Sequence, residues 1–134
     1  MNNALVAIVV AALASWLFGW VWYGAWGKSY QQALGKDPEA CKGQKMPLTP
    51  LLVCLAAELV MAAVVYQLVV NLAVLGGAQQ GAITGLTLGI CLPLMAILVN
   101  NLFQQRGRML TVIDGFHWVL VLVIQGAVIG AFRA

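Results

Sequence analysis

Charged side chains are scarce in this sequence, and their scarcity excludes most soluble folds. Only 8% of the 134 residues are charged, whereas 63% are hydrophobic. Soluble domains carry about 25% charged and about 45–50% apolar residues, and a small domain leaves a large share of its chain exposed. Lipid is therefore the expected solvent. The length predicts one transmembrane domain over residues 1–134.

Residues that carry chemistry are also rare. Cys41, Cys54 and Cys91 show no metal-binding spacing, and their odd number argues against a disulfide framework. The sequence has no P-loop or dinucleotide fingerprint, and no nucleophile is evidently paired with the single histidine, His117. The sequence therefore predicts no catalytic residue, no metal site and no cofactor, and it favours a protein that is not an enzyme.

Long apolar segments are abundant, and four of them reach the length of a membrane-spanning helix. Crossing ~30 Å of hydrocarbon takes about 20 helical residues, and the alternating pattern of a β-barrel is absent. The sequence thus predicts an all-α, integral membrane four-transmembrane-helix bundle, with spans at about 4–26, 48–75, 81–103 and 109–132. Met1-Asn2-Asn3 lacks Lys and Arg, which favours a first span over a removed signal peptide. Pro93 predicts a kink in the third span, which could serve packing or act as a hinge.

Basic residues are concentrated on one side of the predicted bundle. The polar loop 28–47 holds four Lys residues, and the turn 104–108 holds two of the three Arg residues. These two connections must share a side, and the positive-inside rule places them in the cytoplasm with both termini on the extracytoplasmic side. We therefore predict a multi-pass membrane protein in which these two connections face the cytoplasm. Because topology accounts for the net charge of +3, no nucleic-acid partner is expected.

Small residues recur at four-residue spacing in three predicted spans. Such stripes allow two helix backbones to approach closely in lipid. Four helices enclose little interior, so we expect a homo-oligomer surrounded by membrane lipids; whether the stripes face the same chain or another subunit is left open. The stripes are Ala11, Ser15 and Gly19 in the first span, Gly81, Gly85 and Gly89 in the third, and Gly126 and Gly130 in the fourth.

Ionisable side chains fall inside two of the spans, where an Asp at a helix centre costs about 2.5–3.5 kcal/mol on insertion scales. Glu58 lies about ten residues into the second span and His117 about eight into the fourth, so we predict similar depths for them. Asp114 and, two turns beyond His117, Gln125 share the face of His117. We predict a polar intramembrane site in the cytoplasmic half, with these members: Trp22, Tyr23, Glu58, Asn100, Asn101, Asp114 and His117.

Three interpretations of this polar site remain open. In the favoured, structural one, Glu58 pairs with His117, Asp114 caps the helix or pairs with an arginine of the basic turn, and the asparagines bond between helices. In the second, Glu58 and His117 exchange protons in a proton or cation pathway. In the third and least favoured, Cys54 and Glu58 form a ligand or metal site with Asp114 and His117, although the spacing matches no metal signature.

Three stretches of the chain, in this order, resemble the DUF1761 family of small bacterial membrane proteins, whose function is not established. The resemblance implies a four-span fold in the bacterial inner membrane and no particular activity. The stretches are Gly19-Trp20-Val21-Trp22-Tyr23-Gly24 with the following loop, Gly81 and Gly85 leading to Asn100-Asn101-Leu102-Phe103, and Thr111-Val112-Ile113-Asp114-Gly115-Phe116-His117 ending in Gly126-Ala127-Val128-Ile129-Gly130.

These observations leave three hypotheses for function. The first is a non-enzymatic, oligomeric membrane protein whose intramembrane polar site binds or conducts a proton or small cation. The second is an accessory or structural subunit that docks on a larger membrane complex through its glycine stripes. The third is a membrane enzyme that acts on a lipid or quinone near the aromatic residues beside Asp114 and His117.

Overall fold

Four helical spans form the body of the protein, in a computed structural model that describes residues 3–72 and 76–133. Each span is long and apolar enough to cross a membrane, which confirms the predicted all-α fold with four membrane-spanning helices. The predicted end of the second span, residues 73–75, lies outside the described residues. The helices are α1 (Asn3–Ala25), α2 (Gly27–Ala33), α3 (Leu48–Leu72), α4 (Ala78–Gly89), α5 (Met95–Phe103) and α6 (Arg108–Ala131), and a π-helical segment (Ile90–Leu94), called here the π-turn, joins α4 to α5.

The predicted polar loop 28–47 begins with the short helix α2, which follows α1 after a one-residue break at Trp26. Its sequence, GKSYQQA, carries no apolar stripe that would have indicated a helix. The helix packs on α6 as well as on α1. The end of the bundle that carries α2 and residues 104–107 is called the loop end, and the opposite end, with Asn3 and Arg133, the terminal end.

Helix α6 lies at the centre of the bundle and contacts α1, α3 and α4. Half of its most apolar window is buried, whereas the corresponding fraction is 11–22% in the other three spans. Glycines at positions 115, 126 and 130 leave its surface without side chains there, so neighbouring helices can approach its backbone closely. The third span rests mainly on α6, while α1 and α3 pack on α6 and on each other.

The glycine stripes of α4 and α6 face each other inside the chain. A Cβ atom added at Gly81 would overlap the carbonyl group of Gly126, and one added at Gly85 would overlap that of Leu122. At the start of α4, Gly77 adopts a φ of 113°, which favours glycine, and its N–H donates to the carbonyl of Gly130 at 3.2 Å. The glycine stripes of α4 and α6 thus contact each other within the chain.

The π-turn continues this contact line past Pro93. Gly81, Gly85 and Gly89 face α6 at intervals of four residues, and the next contact comes five residues on, where the Cδ1 of Leu94 fills the space beside Gly115. A π-turn holds one more residue than an α-helical turn, so the contact with α6 that ends at Gly89 resumes at Leu94. The irregularity predicted at Pro93 is therefore a change of helix type that keeps the third span in register with α6.

The apolar core occupies the terminal half of the bundle. It is built from alanine, valine, leucine and isoleucine side chains of α1, α3 and α6. Dispersion contacts between such side chains hold helices together where lipid offers no hydrophobic drive. At the terminal end, a guanidinium nitrogen of Arg133 lies 2.7 Å from the carbonyl oxygen of Val69 and so caps the last turn of α3. The buried core cluster is Ala11, Ala12, Ala62, Val65, Val69, Leu122 and Ile129.

Candidate functional site

Three spans bring four polar side chains together near the middle of the bundle. This inner cluster consists of Ser15 on α1, Cys54 and Glu58 on α3, and Gln125 on α6. Ser15, Glu58 and Gln125 are fully buried, with 0% of their surface exposed, and Cys54 is half-buried. The small stripe of α1 allows α3 and α6 to approach at the level of Ser15, so the inner cluster joins all three helices.

Hydrogen bonds connect the members of the inner cluster. The amide nitrogen Nε2 of Gln125 donates to the hydroxyl of Ser15 at 3.0 Å and to the main-chain carbonyl of Glu58 at 3.1 Å. The Ser15 hydroxyl also bonds to Oε2 of Glu58 and lies 3.1 Å from the carbonyl oxygen of Ala12. The thiol of Cys54 donates to Oε1 of Glu58 at 3.4 Å. Both carboxyl oxygens of Glu58 therefore have a partner.

Glu58 forms no salt bridge with any residue that the structure describes. In residues 3–72 and 76–133, the sole salt bridge joins Lys42 to Glu39 in the exposed loop, at 2.9 Å. The same residues hold no group of three or more His, Cys, Asp or Glu side chains that could bind a metal ion. Glu58 is thus a buried carboxyl group surrounded by a hydroxyl, a thiol and an amide.

A second polar group, the outer cluster, lies at the loop end and consists of Tyr23, Tyr30, Asp114 and His117. The phenol of Tyr23 donates to Oδ1 of Asp114 at 2.5 Å, and its ring centroid lies 4.9 Å from that of Tyr30 and 4.8 Å from that of His117. Burial raises the pKa of the Tyr30 phenol, and the nearby charge of Asp114 raises it further. Helix α2 therefore covers the polar end of the α1–α6 contact with a neutral aromatic side chain.

His117 is enclosed by aromatic rings and is only 3% exposed. Phe18 stacks parallel to it, with ring centroids 6.1 Å apart, and Trp118 meets it edge-on at 4.9 Å. Gly19 makes room for the imidazole, since a Cβ there would lie 3.2 Å from Nε2. Nδ1 is buried and has no hydrogen-bond partner among the described residues.

The pairing of Glu58 with His117 that their similar depths predicted is wrong. Glu58 bonds instead to Ser15, Cys54 and Gln125, and Gln125 lies eight residues beyond His117 on α6, ~12 Å of helical rise. Hydropathy places each span within the membrane but does not fix how far neighbouring helices are displaced along their axes. Helix α3 is displaced toward the terminal end relative to α6, so the two ionisable residues belong to different clusters.

The remaining predicted members of the site are divided between helix contacts and surface. Asn101 donates to the hydroxyl of Thr111 at 3.0 Å and so links α5 to α6, whereas Asn100 is exposed. Trp22 donates its indole N–H to the carbonyl of Ile113 at 3.1 Å. The predicted pairing of Asp114 with an arginine is wrong, because its carboxylate accepts from Tyr23 and no described arginine forms a salt bridge.

A comparison with protein families identifies the chain. The family model described as "Protein of unknown function (DUF1761)" matches residues 6–130. The chain belongs to the DUF1761 family. No curated protein and no solved structure matches it. The match covers all four spans and both polar clusters, so the clusters lie in the part of the chain that defines its DUF1761 membership.

Three residues of the inner cluster of this DUF1761 chain were not among the predicted site members: Ser15, Gln125 and Cys54, of which Cys54 was named only in the ligand or metal interpretation. Ser15 appears in the sequence as one member of a small-residue stripe, and Gln125 as a residue on the face of His117. The sequence does indicate that both side chains need hydrogen-bond partners, because a serine and a glutamine at membrane depth cannot bond to water. That these partners include Glu58 depends on the displacement of α3 along α6, which the sequence does not predict.

Proposed function

We propose that this chain is a non-enzymatic membrane protein in which Glu58 binds a proton, and that this proton holds α1, α3 and α6 together. The observation that carries the proposal is the set of three contacts made by the Ser15 hydroxyl: the amide of Gln125, the carbonyl of Ala12 and the carboxyl of Glu58. The proposal concerns the proton occupancy of Glu58 and its effect on helix packing.

The hydrogen-bond capacity of Ser15 favours a protonated Glu58. A hydroxyl group has one proton to donate and two lone pairs to accept with. The Gln125 amide occupies one lone pair, and the Ala12 carbonyl can only accept the Ser15 proton. All three contacts can be hydrogen bonds at once when Glu58 carries a proton and donates it to the second lone pair.

Desolvation favours the same state. An ionised carboxylate buried without a cation loses its hydration and gains no opposite charge in return. Glu58 is fully buried, and its partners are neutral groups. Releasing the proton would therefore place an uncompensated charge at the junction of three helices and weaken their packing.

The geometry supports proton binding rather than conduction through one chain. Toward the terminal end, the inner cluster borders the apolar core of alanine, valine and isoleucine side chains. Toward the loop end, the buried Val121 lies between Gln125 and His117 along α6. Phe18 follows Ser15 on α1 and stacks on His117. The outer cluster, with Asp114 and Tyr23 in hydrogen-bond contact, gives the loop end its proton-exchanging groups.

Infrared spectroscopy of the purified protein in lipid tests the proposal. A protonated carboxyl group has its own C=O stretching band, which we expect at neutral pH in the unmodified chain and in Glu39→Gln, but not in Glu58→Gln. Glu39 is an exposed loop residue and serves as the matched control. Absence of the band from the unmodified chain at neutral pH would overturn the proposal.

The same measurement distinguishes proton binding from the alternative, the binding of a small cation. If Glu58 binds a proton, added NaCl or LiCl leaves the band unchanged. If either salt removes the band from the unmodified chain and from Glu39→Gln, the site exchanges its proton for a cation, and the proton assignment fails. Thermal unfolding in detergent adds a second criterion: the unfolding temperature should fall as the pH rises in the unmodified chain and stay constant in Glu58→Gln.

A second proposal concerns assembly as a homo-oligomer. Three spans have less than a quarter of their most apolar window buried within the chain, so most of their surface is available to lipid or to further copies. Native mass spectrometry in a mild detergent, with cross-linking in membranes before extraction, measures the number of copies. A monomer under both conditions contradicts this proposal and leaves the proton proposal intact.

We also propose a bacterial inner membrane with the loop end in the cytoplasm. Six of the seven basic residues lie at the loop end, and Arg133 at the terminal end binds main-chain carbonyls of α3. Reporter fusions at either terminus report the side on which each lies. A terminus that reports from the cytoplasm would reverse the orientation.

A further inference from the structure

A cavity at the loop end carries an inference that is independent of Glu58. It measures about 240 Å³ and lies between the end of α1, α2 and the following loop. Pockets that bury drug-sized ligands measure roughly 300–1,000 Å³, so this one suits a smaller group. Its lining residues are Gly24, Gly27, Lys28, Gln31, Pro38, Cys41 and Lys42.

The lining of the cavity has the chemistry of an oxyanion site. Lys28 and Lys42 supply two ammonium groups, and Gln31 supplies an amide that can donate hydrogen bonds. Lys42 also contacts Glu39 at 2.9 Å, but both side chains are 68% exposed. A pair this exposed contributes little, so an anion can replace Glu39 as the partner of Lys42.

The depth of the cavity indicates the source of the anion. Gly24 lies on the last turn of α1, beside Trp20 and Trp26, which are half-exposed aromatic residues. Tryptophans of this kind mark the headgroup level of a membrane. The cavity, with its two lysines, therefore lies at the end of a span beside residues of the type found at the level of the lipid phosphates.

Two glycines keep the cavity open. Gly24 and Gly27 both line it, and a Cβ added at either would meet no protein atom within 4 Å. In contrast to the glycines of α4 and α6, their lack of a side chain serves no helix contact. A larger side chain at either position would take up space in the cavity without displacing the protein.

We propose that this cavity binds a phosphate group, and that the headgroup of an anionic phospholipid supplies it. Lys28 and Lys42 neutralise the phosphate, Gln31 donates a hydrogen bond, and Gly24 and Gly27 admit the headgroup close to the backbone. The bound lipid would fasten α2 and the loop to the end of α1.

Native mass spectrometry of the full chain, titrated with phosphatidylglycerol and with phosphatidylcholine, tests the proposal. We expect phosphatidylglycerol to bind more tightly, and Lys28→Gln to weaken it about fivefold, the effect of one basic residue near an anionic surface. Gly27→Leu should remove the preference. The matched controls are Lys36→Gln and Gly107→Leu, which lie outside the cavity; a Cβ at Gly107 likewise meets no protein atom within 4 Å.

Labelling of Cys41 gives a measurement that does not depend on a variant. Cys41 lines the cavity, so phosphatidylglycerol should slow its reaction with a water-soluble maleimide, as located by peptide mapping. Slowing by inorganic phosphate alone would support the phosphate site and assign it to a soluble anion. Equal binding of both lipids, unchanged in Lys28→Gln and Gly27→Leu, together with unprotected Cys41, would overturn the proposal.

Discussion

Gly81 and Gly126 lie backbone to backbone, and neither has room for a methyl group. A Cβ built on either residue would overlap the carbonyl oxygen of the other. The contact is therefore reciprocal, and it joins the third span to α6 at a point where the obstacle is main chain rather than a flexible side chain. This contact fixes the separation of the two helices.

Replacing either of these glycines by alanine should separate α4 from α6. Overpacking a well-packed contact typically costs about 1–3 kcal/mol, and occasionally more, and here the main chain must move. We expect Gly81→Ala and Gly126→Ala to lower stability in a detergent unfolding titration. Gly24→Ala is the control, because a Cβ there meets nothing within 4 Å. Equal stability of all three variants would contradict the close contact.

Ser15→Ala should destabilise the bundle more than its size suggests. The substitution removes the hydroxyl that connects Gln125 to the Glu58 carboxyl, and leaving buried polar groups unsatisfied costs about 1–3 kcal/mol. Ser29→Ala, at the other serine of the chain, lies outside the cluster and should be nearly neutral. Thermal unfolding monitored by tryptophan fluorescence measures both; similar curves for the two variants would show that Ser15 does not connect the helices.

Tyr23→Phe should loosen the loop end without disturbing the inner cluster. The ring contacts with Tyr30 and His117 are kept, while Asp114 loses its hydrogen-bond donor. Hydrogen bonds to charged groups contribute about 1.5–3 kcal/mol. Hydrogen exchange should therefore rise in α2 and in the first turns of α6 and stay unchanged around Glu58. Tyr66→Phe is the control, and faster exchange around Glu58 in Tyr23→Phe would contradict two separate clusters.

The sequence predicted the parts of the fold that depend on local composition and missed those that depend on displacement between helices. Span lengths follow from hydropathy, and the glycine intervals indicated where backbones approach. The partner of Glu58 was predicted incorrectly, because two helices that begin at the same membrane surface can still be displaced along their axes. Ser15 was recognised as a small residue but not as a hydrogen-bonding one, since its partners Glu58 and Gln125 lie on two other helices.

The π-turn around Pro93 holds one more residue than an α-helical turn, yet the third span contacts α6 on both sides of it. Gly89 and Leu94 both face α6 although Leu94 lies five positions, rather than four, after Gly89. Deleting Pro93 should therefore leave a continuous α-helix with the same contact line. We expect that deletion to keep the fold and native-like unfolding in detergent. Deleting Thr87 instead should turn Gly89 away from α6 and destabilise the protein, and the reverse order of stability would contradict this account. The third span can therefore lose one residue between positions 90 and 94, because the helix can change there from π-helical to α-helical winding.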